Sequence, residues 1–503
     1  MKGTVQNLSL FLVMKIAQWI LYDQCNTRYI NPGVTDIFFI LFTGNRIASP
    51  VGILTFNIRS KIAEYAIAKA FLADCEKAGY RTHWIEAENY KNGIIEFVSK
   101  TSITDIVSMR SSEEYLARKI ENYILQWVSL SLFPNRQFLI SPEEFWENFE
   151  KPPIMETFYR YMRKSRNILM EDDGKPVWGK WNYDHENRNF DKTHIPNWSW
   201  KPIDIQYIEE AKWYYNREDI DFFLPVTRKD ALWILQYWLE YHSEDFGRLE
   251  DAMYQDDMLV HHSYISTAMN YGLLHPEEVI ERVLGWHMPL ASQEGFIRQV
   301  LGWREYMRQF YLSYYDDIYT QNTLNQRVKL PESWWNYTGE ENEWAITTMN
   351  CVDTVIKRVQ VKNYSHHIER LMIIGNFTLL RGYDPREITR WFYEMYTDAF
   401  EWVVTPNVMG MSQYSDGGRL ATKPYISGGN YIEKMSDYCQ WCQYSVKEKT
   451  CPMTHLYWDF VDRNTSIFEK WRTPYVLSTS RKSISRRSEW RKKNSSVILS
   501  KYA

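Results

Sequence analysis

Residues 15–109 alternate short apolar runs with an amphipathic helical pattern, and few folds accept that order. "KIAQWILY" from Lys15, "DIFFILF" from Asp36, "RTHWIEA" from Arg81 and "ITDIVSM" from Ile103 are apolar runs of strand length. Between the second and third lies "SKIAEYAIAKAFLADCEKAGY", an amphipathic helix that stops at Gly79. Strands joined through helices lie parallel, so this part predicts an α/β domain with a parallel sheet over residues 1–150. No Gly-rich phosphate loop follows any of the strands, which argues against a nucleotide site of the usual βαβ type. The apolar start "LSLFLVMKIAQWILYDQ" is broken by Lys15 and lacks a small-x-small cleavage site. It reads as lead-in to a first buried strand at Lys15–Tyr22, with Met14 as an alternative start, rather than as a secretion signal.

The pattern changes at Pro152. "YRYMRKSRNILMEDDGKPVWGKWNYDHENRNFDK" mixes basic residues, aromatics and turn formers, and residues 151–202 read as a long interdomain linker. Residues 203–503 read as nearly all helical. "TRKDALWILQYWLEYHSEDF", "QEGFIRQVLGWREYMRQFYLSYY", "MNCVDTVIKRVQVKNYSHHIERLMIIGNFTLL" and "DPREITRWFYEMYTDAFEWVV" carry apolar residues at helical spacing. Thr227 and Asp384-Pro385 mark two of the helix starts. The basic tail "RKSISRRSEWRKKNSSVILSK" reads as a solvated end or as a contact with a polyanion. No stretch is apolar for long enough to span a membrane, so a cytoplasmic protein is expected.

The net charge of −4 gives the chain no overall attraction to nucleic acid, so such binding needs a local patch, and Arg160, Arg163, Lys164 and Arg166 form one in the linker. Six cysteines are too few for a disulfide scaffold in 503 residues. Three of them, Cys439, Cys442 and Cys451, sit in "MSDYCQWCQYSVKEKTCPMTHLYWDF" at ligand-like spacing, and Cys351 can supply a fourth thiolate. Four thiolates with Pro452 after the last suit a cubane iron–sulfur cluster. Zinc, or a redox-active or merely buried set, is also compatible with the residues alone.

"EGFIRQVLGWREYMRQFY", "HHIERLMIIGNFTLL", "EWVVTPNVMGMSQYSDGGRLATKPYISGGNYIEKMSDYCQWC" and "CPMTHLYWDF" resemble the bacterial iron–sulfur photolyase-cryptochrome family, which includes the bacterial (6-4) photolyases. The similarity runs over most of Tyr159 to Phe460 with its segments in order. It implies an N-terminal α/β antenna-type domain, a long linker, and an all-α domain that holds FAD and a [4Fe-4S] cluster on Cys351, Cys439, Cys442 and Cys451. The implied activity is light-dependent repair of (6-4) photoproducts in UV-damaged DNA by a monomer, with a cryptochrome-type blue-light receptor as the alternative.

The resemblance also assigns residues. His367 is the proton donor to the lesion, with His366 beside it and Tyr425 stacking on an extruded base. Trp391 is the aromatic nearest the flavin in a photoreduction chain. Phe392 follows where the family can have Tyr, and Trp335 and Trp344 are candidates for the outer position. The FAD site would be built from His262, Ser263 and Ser266 at the phosphates, and from Gln299, Trp303, Arg304, Arg370, Asp398 and Asn407. Lys423 would meet phosphate, and Val404 stands where family members can carry a carboxylate. A 6,7-dimethyl-8-ribityllumazine antenna is the family's usual second chromophore, but its "GDQ" reads Tyr22-Asp23-Gln24 here, and the next strand end lacks an acidic residue. Asp184 and Glu186 resemble the family's acidic linker motif, which offers a divalent cation such as Mg2+ a place.

Overall fold

The computed structural model describes residues 15–44, 47–196, 198–335 and 346–466. The basic tail, Met14 and Trp344 lie outside these residues.

Strands β1 (Ile16–Ile20), β2 (Asp36–Phe42), β5 (Arg81–Ala87), β6 (Asp105–Met109) and β7 (Ser129–Phe133) form one parallel sheet in the order β5-β2-β1-β6-β7. Each pairing is parallel, as the strand–helix alternation predicts. Helix α1 (Ile58–Lys77) and helix α2 (Tyr90–Thr101) cover it. From Ile37 to Leu41, β2 is wholly buried, as a strand sheathed on both faces must be. A short hairpin, β3 (Ile47–Ser49) and β4 (Gly52–Leu54), and strand β7 were not read from the sequence. In β7, "SLSLF" alternates small polar with apolar residues and stays half exposed, so it lacks the continuous apolar run that marks the others.

The strand order reverses between β1 and β6, where an open α/β sheet leaves a crevice at its C-terminal edge. The protein's own side chains occupy this place. Asp23 accepts hydrogen bonds from the backbone N–H (2.9 Å) and hydroxyl (2.6 Å) of Ser112, and Gln24 donates to the Met109 carbonyl (2.8 Å). The helical part docks here. Cys25 N–H donates to Tyr271 O (3.1 Å) and Asn26 Nδ2 to Gly272 O (2.9 Å). Gly272 has φ +85°, and a Cβ there would lie 2.8 Å from the Asp23 carbonyl, so only glycine permits the approach.

The linker begins with a helix, α5 (Met155–Ser165), that the sequence reading took as irregular. Its Tyr159 ring rests on Gly302, and its hydroxyl donates to Glu294 (2.9 Å). Arg163, expected on a phosphate-binding surface, is buried and donates to the carbonyls of Ile168 (3.2 Å), Leu169 and Trp181 (2.9 Å). Arg166 pairs with Glu144 (2.6 Å). The linker needs these donors because its irregular backbone cannot satisfy its own carbonyls. The basic run is therefore mostly internal wiring, with Arg160 and Lys164 left over the Trp181 ring.

Further along, the linker locks onto helix α7 (Arg228–Tyr241). Trp198 stacks on His242, which caps α7, with ring centroids 4.1 Å apart and 5° between planes. His194 bonds Asp257 (2.7 Å), and Trp198 donates to Val260 O (3.0 Å). His242 is 1% exposed and neither ring nitrogen has a partner. Burial, then the neighbouring His261, pushes its pKa down to about 4. His242 thus stays neutral in the folded chain down to about pH 4, whereas the unfolded chain takes up its proton near pH 6.5. Stability is therefore unaffected above pH 6.5 and falls as pH drops from there toward 4, by on the order of 2 kcal/mol for this group. We predict that His242→Phe keeps the stack, leaves the melting temperature at pH 8 within a few degrees, and flattens the loss between pH 6.5 and 4. Melting curves across that range check it.

Candidate functional site

Three stretches of the helical part depart from the α-helix into π-helical turns: Arg298–Arg304, Glu369–Gly375 and Pro406–Ser412. Such turns widen the coil and re-aim side chains, and they recur at functional sites. Each carries a glycine against which a neighbour packs: Tyr159 on Gly302, Ser412 on Gly375 and Leu420 on Gly410. The long helix expected over "MNCVDTVIKRVQVKNYSHHIERLMIIGNFTLL" is split. Helix α13 (Asn350–Lys362) ends at Asn363, whose φ of +52° is the left-handed region asparagine tolerates, and the chain restarts at the His366–His367 pair.

Arg370 and Asp398 form a bidentate ion pair, Nη1–Oδ1 3.0 Å and Nη2–Oδ2 2.9 Å. Asp398 also accepts from the Ser266 hydroxyl (2.7 Å), and its backbone carbonyl accepts from Asn270 (2.9 Å). Arg370 also donates to Ser365 O (2.7 Å) and lies 4.3 Å from the Tyr396 ring. The carboxylate partner holds the guanidinium above its usual pKa, although burial opposes this. Every donor has a place, which is the condition for keeping such a pair in the interior.

Of the residues expected at the flavin, Ser266 touches this pair, while His262, Ser263, Gln299, Trp303, Asn407 and Tyr425 are each partly accessible within largely buried stretches of chain. His367 is exposed, yet desolvation and the Arg370 guanidinium push its pKa down to about 4. A ring that is both reachable and desolvated lies on the wall of a recess rather than on an open face. His366 is its opposite. It is fully buried, both nitrogens lack partners, and its ring stacks on His262 at 4.6 Å. Burial, then Arg358, holds its pKa well below the ordinary imidazole value. Gln299 donates to Glu250 (2.8 Å), a buried acid whose pKa burial raises well above the usual carboxylate range. Glu250 and its linker partner Asn187 were not picked out from the sequence, because a glutamate in a helical stretch carries no local mark of burial.

Two assignments need correction. Arg304 turns away from this recess. Its guanidinium pairs with Glu305 (2.8 Å) and lies over the Phe138 ring (4.3 Å), while Glu305 accepts from the Leu139 backbone (2.7 Å). It fastens the α/β part to the helical part. Asp184, offered above as a cation ligand, pairs with the buried Arg298, and among the described residues no three acidic, His or Cys side chains are placed to hold a single metal ion.

Trp391 is fully buried and donates to Trp334 O (3.0 Å). Its ring lies 5.7 Å from Tyr396 and 5.3 Å from Trp334, which the sequence reading passed over in favour of its neighbour Trp335. Trp335 is half-buried and donates to Glu394 (2.6 Å). Phe392 stacks on Tyr396 at 4.9 Å.

Cys351, Cys439, Cys442 and Cys451 line one small apolar cavity with Met349, Ile432 and Tyr438. Burial, then the other three thiols, raises the Cys351 pKa well above its usual value. Gly429 borders the cavity, and a Cβ on it would come within 2.6 Å of Cys451 Sγ. Thus Cys351, at the start of α13, reaches the same space as three cysteines about 90–100 residues further on.

The sequence profile of the family described as "deoxyribodipyrimidine photo-lyase-related protein" matches residues 59–219. A (6-4) photolyase of Agrobacterium fabrum is 37% identical over 425 residues, covering 80% of this chain and 82% of that protein. Among solved structures, a bacterial class III photolyase from Agrobacterium tumefaciens superposes with a TM-score of 0.55 at 15% identity, over 86% of this chain and 88% of that one. A cryptochrome of Synechocystis sp. PCC6803 superposes with a TM-score of 0.51 at 12% identity, over 84% and 88%.

Asp398→Asn should leave the Arg370 guanidinium buried beside an uncharged partner and cost about 3 kcal/mol of stability. Chemical denaturation at neutral pH measures the loss.

Proposed function

The chain belongs to the deoxyribodipyrimidine photo-lyase-related family, and on that premise we propose that it repairs DNA in light, reversing pyrimidine-pyrimidone (6-4) photoproducts. The observation that carries the reading is His367, exposed yet desolvated, three residues before the arginine of the bidentate Arg370–Asp398 pair. A receptor that only signals has no need of a proton donor there.

FAD fits the residues present. Arg370 and Asp398 would lie against its ring system, Ser263 and His262 would meet its phosphates, Ser266 would reach them only by giving up its bond to Asp398, and Gln299, Trp303 and Asn407 would line the remaining wall. Asn407 donates to Val403 O (2.8 Å), which leaves its amide oxygen to accept. Reduced FAD, once excited by light, supplies the electron that opens the photoproduct and takes it back. The chain's part is to bind, orient and move a proton. Tyr425 offers its ring to an extruded base. His367 donates the proton that opening the photoproduct requires. The negative charge of bound DNA and of the cofactor phosphates opposes the guanidinium and raises the His367 pKa toward the working range. Trp391, whose ring neighbours Tyr396 and Trp334, would be the aromatic that passes electrons to the flavin.

The four cysteines fit a [4Fe-4S] cluster. They share one apolar cavity, and a proline follows the last of them, the ligand pattern such a cluster takes. A cluster there would staple the start of α13 to the C-terminal segment. The lumazine antenna fits less well. The strand-end residues that would meet it differ from the family's, and Asp23 and Gln24 are bonded to Ser112 and Met109, so no step depends on it. Among the described residues no helix is long and apolar enough to cross a membrane, and the reading places the protein in the cytoplasm, acting as a monomer. A Mg2+ site at Asp184 would require the Arg298 pair to open.

Protein purified without oxygen and illuminated with (6-4)-damaged DNA should release intact pyrimidines, followed by chromatography. A flavin-loaded sample without light-dependent repair would overturn the assignment. His367→Ala should lose at least about a hundredfold in repair while keeping its flavin absorbance. Cys351→Ser should lose the cluster's visible absorbance, along with iron and inorganic sulfide in equal measure, and melt at lower temperature.

A further inference from the structure

His366 raises a physical problem. An imidazole with both nitrogens buried and unpartnered is costly, and its neighbourhood shows what offsets the cost. One helical step on, Glu369 is also fully buried, and its Oε1 lies 3.7 Å from His366 Nε2. That carboxylate is held from two sides. Arg358 of α13 pairs with Oε1, and the buried Tyr438 hydroxyl donates to the same oxygen. Arg358 is itself fixed by the carbonyls of Gln255 (2.6 Å) and Tyr254 (3.1 Å). The second carboxylate oxygen, Oε2, is buried with no partner.

We propose that Glu369 is a positioning residue for His366: it takes the Nε2–H of that imidazole, fixing the tautomer and leaving Nδ1 as the nitrogen able to exchange a proton in the lesion site. A small approach would give the unpartnered imidazole an acceptor on a carboxylate that still has Oε2 free, and a carboxylate behind an imidazole sets which nitrogen carries the hydrogen.

The clamp is built on the cysteine segments. Tyr438 immediately precedes Cys439, and Asn350 immediately precedes Cys351. Asn350 donates to Tyr438 O (2.9 Å) and to the Gln255 side chain (2.6 Å), closing the ring of contacts. The folded cysteine loop therefore presents the hydroxyl that holds Glu369 against His366. The other ionisable groups facing His366 are Asp257 and His262 from the segment before Ser263, Arg358 from α13, and His367 and Arg370 from its own helix. Among the described residues Glu369 is the carboxylate that forms an ion-pair contact with His366, while Asp257 is bonded to His194.

The inference rests on the repair reading and is tested beside it on the flavin-loaded protein. Glu369→Gln removes the negative charge, so the imidazolium becomes harder to form and the alkaline limb of the repair pH profile should move down by about one unit. Glu369→Asp should restore most of it, and Tyr438→Phe should move it in the same direction by less. Dark binding of damaged DNA and flavin content should stay as in the parent. Nitrogen NMR of histidine-labelled protein in the dark should show His366 as the Nε2–H tautomer in the parent and a mixture in Glu369→Gln. An unchanged pH limb and an unchanged tautomer would overturn the proposal. If Glu369→Gln fails to fold, Tyr438→Phe decides by the same two measurements. If the parent shows no repair at all, the repair reading falls, while the tautomer in the dark still decides the role of Glu369.

Discussion

The bidentate pair between Arg370 and Asp398 is the interaction around which the helical part is arranged. A guanidinium and a carboxylate withdrawn from water cost several kcal/mol each, and the cost is offset only when geometry is good and every remaining donor is satisfied. Meeting that condition recruits Ser266 and Asn270 from one segment, Ser365 from a second and Tyr396 from a third. Those segments are also the ones that carry His262, the His366–His367 pair and Trp391. One electrostatic requirement therefore fixes the spacing of His262, the His366–His367 pair and Trp391 together.

Satisfaction is not uniform across the molecule. At the domain seam, Glu305 serves Arg304 and two backbone donors. Arg304 Nε at the seam is nonetheless buried without a partner, and so are several groups near His366. Both His366 nitrogens, one Glu369 oxygen and the Asn187 amide oxygen are buried without partners. Val260 and Tyr264, which flank the His261–His262 pair, hold positive φ of 52° and 57°, a conformation costly for side chains of their bulk. Structure elsewhere over-determines these positions: the Trp198 stack, the His194–Asp257 pair and the clamp at Glu369 all press on the same region.

What could be read from the sequence follows from how each feature is encoded. The central strands and α1 were legible because burial on both faces writes a continuous apolar run, and Thr227 and Asp384 announced their helices through cap chemistry that is local. The cysteine set was legible because chemistry dictates its residue type. Arg163, Arg166 and Arg304 were misjudged, since a charge in a sequence does not say whether its partner is a DNA phosphate, a carboxylate or a linker carbonyl. Trp334 was passed over for a similar reason. Of two adjacent tryptophans, only the fold decides which one turns inward to Trp391. The π-helical turns left no mark, because one extra residue per turn leaves the apolar spacing almost unchanged.

The position of the cysteine loop is the last step. Had the four thiols served only to close the C-terminal segment, the loop would need no polar tie to the rest of the site. Instead Tyr438 and Asn350, the residues just before two of the cysteines, bond each other and together reach Gln255, Arg358 and Glu369. Of these, Glu369 belongs to the segment that holds the His366–His367 pair and Arg370. Loosening the loop would release a buried carboxylate beside a buried imidazole. The staple and the acid–base site are thus one packed unit, and a change in either must be felt by the other through contacts a few ångströms long.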